Sequence, residues 1–307
     1  MKRARVLLGV TVIGLAAICG AARSQDTSAG PGANEIPVHE QVVQQAPERN
    51  NGAAWWKLAM LDQDAARFGD AERAYQKALE LMKSGDPITL ANVMDCMGTM
   101  YVQMGRYAEA EELERRALSM RQEQKDSLGV GLSWMHLAML SLGKHEKADG
   151  KTYAELAVER LVPEKGESGA TVEQKMTALT YLALARCAAD ECGDAMAPLK
   201  RAMTIAEASY TENSFPVAYI QFLEGYADWK RGDHRAAAKL MKSGTEQMEA
   251  QLGWSHPTFV TVMQQYEAFL VVTHRDAEAA EVREKLARFA GEKAVAQTAH
   301  ASASLPQ

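Results

Sequence analysis

Between about residues 53 and 290, apolar side chains return every three or four positions, and glycine, proline or turn-forming polar residues interrupt them about every 15 to 20 residues. That period lays one apolar stripe along an α-helix, so the pattern predicts a succession of short amphipathic helices. A longer period lies above it. Alanines at 71, 110, 148, 195, 237 and 279 are separated by 39, 38, 47, 42 and 42 residues. The clearest unit reads Met94-x2-Met97-Gly98-x2-Tyr101-x3-Gly105-x-Tyr107-x2-Ala110-x6-Ala117-Leu118. Small residues such as Gly98 and Ala110 let two helices of a hairpin approach, while Met94, Met97, Tyr101 and Tyr107 fill the space around the contact.

This unit resembles the tetratricopeptide repeat, in which a first helix carries large, small and aromatic residues at these spacings and a second carries alanines after a turn glycine. A first unit follows the pattern with Trp55, Leu58, Ala59, Phe68, Ala71, Tyr75 and Ala78. A fourth follows with Leu179, Leu182, Ala183, Cys192, Ala195 and Ala202, and carries Asp190 where the turn glycine is usual. The third has its apparent turn glycine, Gly143, about two residues early, which predicts a shortened helix. The fifth places Glu224 and Asp228 where apolar residues belong, so its register is open by one residue. The last begins at Leu252-Gly253-Trp254-Ser255-His256-Pro257 and, with the long spacing, looks like the kinesin-light-chain variety.

The resemblance implies an all-α, right-handed superhelical α-solenoid of stacked antiparallel helical hairpins, about six of them, over residues 53–294. It further implies a concave groove lined by first-helix residues. These are Trp56, Met60 and Gln63, then Asn92, Asp95, Thr99 and Gln103, then Met135 and Met139, then Thr180 and Leu184, and finally Tyr219, Phe222, Tyr226, Trp229 and Lys230. The lining is mostly apolar and aromatic, so the implied partner is a protein or peptide segment with apolar anchors. For Phe222, Tyr226 and Trp229, packing against the next hairpin is an equal alternative.

The two ends read differently. Lys2, Arg3 and Arg5 precede an apolar run from Val6 to Cys19 and small residues at Ala21, Ala22 and Ser24. That succession is expected to be a secretory signal peptide over 1–24, making the protein exported, periplasmic or extracellular. A lipid anchor at Cys19 is disfavoured by the branched Ile18 beside it. Residues 25–52 read as a flexible leader and 295–307 as a disordered tail. Of 307 residues, 24% are charged, with a formal net charge of −6 that becomes −10 once Lys2, Arg3, Arg5 and Arg23 are removed. An acidic chain repels phosphate backbones, so no nucleic-acid partner is expected, and no apolar stretch is long enough for stable membrane insertion.

Catalytic and cofactor motifs do not emerge, and no enzyme activity, cofactor or metal is expected. The seven histidines are not paired on one helical turn, and no phosphate loop or nucleophile elbow occurs. Met94, Met97, Met100 and Met104 with Cys96 offer soft sulfur that suits copper(I), but the repeat already explains them as core. A redox or metal-handling protein using Cys96, Cys187 and Cys192 is therefore the alternative function. Those three cysteines are expected to be mostly buried, free thiols, with a Cys187–Cys192 bridge left open.

Overall fold

The computed structural model describes residues 51–303 apart from 66 and 255. The expected signal peptide, Cys19 and nearly all of the leader lie outside these residues. The described residues fold into helices at α1 (Gly52–Asp64), α2 (Phe68–Met82), α3 (Pro87–Gln103), α4 (Tyr107–Glu123), α5 (Ser127–Gly143) and α6 (Lys147–Leu161). They continue with α7 (Val172–Ala188), α8 (Cys192–Ser209), α9 (Phe215–Arg231), α10 (His234–Leu252), α11 (Pro257–Val272) and α12 (Asp276–Ala303). Short polar side chains start many of them. Asp86 accepts from the Thr89 N–H and is followed by Pro87, Asp126 accepts from Gly129 N–H, and Thr171 with Gln174 closes a capping box.

Helices of about 17 residues, joined by three-residue turns, account for repeats longer than the 34-residue minimum. The 47-residue step between Ala148 and Ala195 contains the loop of residues 162–171, where Gly166 and Gly169 take positive φ. Gly143 is not a turn residue. It is the buried last residue of a full-length α5, where a Cβ would meet Tyr107 Cε1 at 2.9 Å, and the left-handed turn position belongs to His145 at φ 61°. The helix is therefore not shortened. The final helix also runs on to Ala303, through residues expected to be irregular. Alanines at 294, 296, 299, 301 and 303 favour helix strongly enough to account for it.

The helices form two compact units, one up to Glu191 and one from Cys192 onward. In the first, α1 with α2, α3 with α4 and α5 with α6 pair as antiparallel hairpins. The first helices α1, α3, α5 and α7 also touch in succession, which is the stacking of a solenoid. Gln63 of α1 donates to Gln103 of α3 at 3.1 Å, and Arg106 and Tyr101 hold Glu72 of α2 at 2.8–3.0 Å. In the second unit, α9 and α10 pair most closely, with Gly225 against Met241 and Gly244 against the Ala218 carbonyl and Phe222.

Close approach is what Gly98 supplies between α3 and α4. A Cβ there would meet Glu114 Oε1 at 2.5 Å and its Cδ at 3.2 Å. Gly98→Ala is therefore expected to destabilise the chain by about 1–3 kcal/mol, as overpacking does, despite alanine's better helix propensity. Urea unfolding checks this, and an unchanged or raised midpoint would contradict the packing.

Candidate functional site

On α4 the inward stripe is Ala110, Leu113, Glu114, Ala117 and Arg121, so two charged residues occupy core positions. Neither is tolerable there alone, because a buried charge needs a partner. Asp95 on α3 and His136 on α5 face the same space; the four residues are between 0% and 3% exposed. Arg121 Nη2 stands 2.5 Å from Asp95 Oδ2 and donates to Asn92 Oδ1 at 2.6 Å, while Nη1 donates to Ser133 Oγ at 2.7 Å and Gly129 O at 3.2 Å. Asp126 adds a carboxylate 3.9 Å from Arg121 Nε. A Cβ on Gly129 would overlap Asp126 and the Arg121 side chain, so glycine clears the guanidinium's path.

The other half of the cluster is less satisfied. His136 Nδ1 lies 3.3 Å from Glu114 Oε2 and 3.5 Å from Asp95 Oδ2. Yet Asp95 Oδ1, both Glu114 oxygens and both His136 nitrogens have no aligned hydrogen bond within the protein. Burial pushes the Glu114 carboxyl up to about 8, against the pull of His136. For His136 burial acts downward, but Glu114 and Asp95 outweigh it and raise the imidazole to about 10. Burial would raise Asp95 too, but Arg121 and His136 hold it below the usual carboxylate range. The arrangement can hold a proton or a cation between its acids and its base.

Sequence reasoning missed Glu114, Arg121, Ser133 and His136 as a group. The signal was present in the charged residues interrupting the α4 apolar stripe. A histidine search along single helices could not find it, because the groups come from three helices. Asp95 and Thr99, expected on an open groove, are 3% and 6% exposed and belong to this interior instead.

Other expected groove residues divide by exposure. Trp56, Met60, Gln63, Asn92 and Leu184 are half-buried, and Gln103 and Lys230 are exposed. Met135, Met139 and Thr180 are buried. So are Tyr219, Phe222, Tyr226 and Trp229, with Trp229 edge-on to Phe269 of α11 at 5.7 Å and to Tyr226 at 5.8 Å. These four are packed inside their unit, because the register of α9 turns them inward and leaves Glu224 and Asp228 half-buried at its margin. A partner cannot reach them without unpacking the helices.

The sulfur residues are also placed differently from the expectation of free thiols. Cys96, Cys187 and Cys192 are all disulfide-bonded, and no described cysteine is free. Burial does not protect a thiol from bridging, since a disulfide is itself apolar and fills core space. Bridged sulfur offers no thiolate, which leaves the redox and soft-metal alternative without support. Met94, Met97 and Met100 are buried as core, whereas Met104 ends the helix at 37% exposure.

Residues 50–123 match the tetratricopeptide repeat family. No curated protein matches the chain in sequence. Among solved structures, a Podosopora anserina protein of the kinesin-light-chain type with nearly identical TPR-like repeats superposes with a TM-score of 0.53 at 14% identity, over 66% of this chain and 96% of that one. BtubC (BKLC) from P. vanneervenii gives 0.53 at 19% identity over 72% and 89% of the two chains. Aspartyl phosphate phosphatase F from Bacillus subtilis gives 0.53 at 18% over 88% and 73%. At these identities the likeness concerns the fold, an all-α solenoid of tetratricopeptide type.

Proposed function

We propose that the protein is a non-catalytic scaffold that binds a protein or peptide segment along the row of first helices in residues 51–191. The observation that carries this is the unbroken succession α1, α3, α5, α7, with the half-buried apolar side chains of Trp56 and Met60 at one end and Leu184 at the other. Tetratricopeptide repeats generally mediate protein–protein interaction, and half-buried aromatic and thioether groups gain affinity when an apolar anchor completes their burial. We further propose that the chain is exported, on the charged, apolar and small-residue succession of residues 1–24.

Replacing Trp56 and Met60 together by alanine is expected to weaken capture of the partner from an envelope extract about tenfold or more, while the melting temperature moves by only a few degrees. Quantitative pull-down and thermal unfolding on the same protein check it. Capture that survives the double substitution would overturn the groove assignment. N-terminal sequencing of exported material should begin at Gln25 or Arg23.

A further inference from the structure

Asp95, Glu114 and His136 each bring a ligating atom to one place, all within 4.8 Å of one another. Ligand atoms held 2.0–2.2 Å from a tetrahedral zinc ion stand about 3.3–3.5 Å apart. His136 Nδ1 is 3.3 Å from Glu114 Oε2 and 3.5 Å from Asp95 Oδ2. Those separations are within ion-pair reach, yet neither His136 nitrogen nor either Glu114 oxygen makes an aligned hydrogen bond within the protein. Ligating atoms that cluster within 4.8 Å without satisfying one another leave their lone pairs available to a shared third atom. We propose that Asp95, Glu114 and His136 form a structural binding site for a divalent cation of the zinc class.

Charge agrees with this. Once Glu114 and His136 give up the protons they otherwise hold, Asp95, Glu114 and Asp126 supply three carboxylates against the single guanidinium of Arg121, an excess of two negative charges. A divalent ion cancels that excess. Arg121 and its own partners, Asn92, Ser133 and Gly129, then form the outer shell that fixes the Asp95 carboxylate, as hydrogen-bonded outer groups do around metal ligands. Gly98 clears the space for Glu114. Because the three ligands are at most 3% exposed, the ion enters while the helices assemble and leaves slowly afterwards.

The test uses the full chain, unfolded in urea with a chelator and refolded with or without zinc sulfate. One zinc ion per chain, resistant to rapid chelation and accompanied by a raised melting temperature, is the expected result. His136→Asn and Glu114→Gln should each weaken binding by at least about a hundredfold, beyond the range typical of outer-shell changes. Zinc retained equally by the His136→Asn chain would be held by the exposed His145, His234 or His274, and would overturn the site. So would the absence of stoichiometric zinc, which would mean that protons alone balance the cluster. Should the variants not fold, X-ray absorption on the zinc-loaded wild-type chain decides. One imidazole nitrogen with oxygen neighbours supports the site; sulfur or two imidazoles in the shell refutes it.

Discussion

Arg121→Met should cost about 3–5 kcal/mol of folding stability, among the largest losses any single substitution in the first unit can produce. The guanidinium is 1% exposed, and it serves Asp95, Asn92, Ser133 and the Gly129 carbonyl together. Methionine fills the space but donates nothing. Asp95 would then be a buried carboxylate that has lost its guanidinium and keeps only the His136 imidazole, 3.5 Å from Oδ2, as counter-ion, and a half-stranded charge costs more than the pair it leaves contributes. Adding Asp95→Asn to the same chain removes the stranded charge, so the double variant should be more stable than Arg121→Met alone. Urea unfolding in chelator-containing buffer reads both. A single-variant loss below about 1 kcal/mol, or no recovery in the double variant, would show that the ion pair does not govern the packing of α3 against α4.

In the second unit, Trp229→Ala should cost about 3–5 kcal/mol, the range for truncating a buried aromatic. The indole is 7% exposed, contacts Phe269 and Tyr226 edge-on, and has Lys230 Nζ 4.5 Å from its ring centroid. Alanine there leaves a cavity between α9 and α11 that neighbouring rings cannot fill, because each is already held by another contact. The melting temperature should fall by roughly 10 °C or more. A chain that melts normally but fails to bind its partner would instead return Trp229 to the binding surface.

The hairpins were legible from sequence because alanine and glycine at the helix contacts leave few alternatives. At Gly98, Ala110 and Ala117, any larger residue would separate the helices. Facing was harder to read. Asp95 and Thr99 lie on the correct helix, but the family pattern places their positions on a groove, and it takes Arg121 from α4, with His136 from α5, to make burial of Asp95 tolerable. The path of Arg121 depends in turn on Gly129, 34 residues from Asp95 in sequence. The aromatic set on α9 failed for a related reason. Phe222, Tyr226 and Trp229 share one helical face whichever way it turns, and the two acidic neighbours suggested the wrong rotation by about one residue. The cysteines were misjudged because burial speaks to access and not to oxidation state.

Six of the turns between helices share one backbone shape without sharing a residue type. In these six the next N–H closes the turn, and positive φ falls on the residue after the C-cap, or on the cap itself. It is Gly105, Lys125, His145, Asp190, Gly232 and then His274. In each, the following N–H reaches back to close the turn, as Arg106 does to Tyr101 and Asp126 to Arg121 at 2.8 and 2.9 Å. A left-handed Cβ costs about 1 kcal/mol, small against the packing on either side, so glycine is dispensable there. Sequence identity and joint geometry can consequently drift apart. The stretch that matches the repeat family contains Gly105 and ends at residue 123, just before Lys125 supplies the first substituted joint. Detectability of such repeats therefore fades at their corners while the architecture continues through them, and relatives of this chain are better sought by the spacing of helix-contact alanines than by turn glycines.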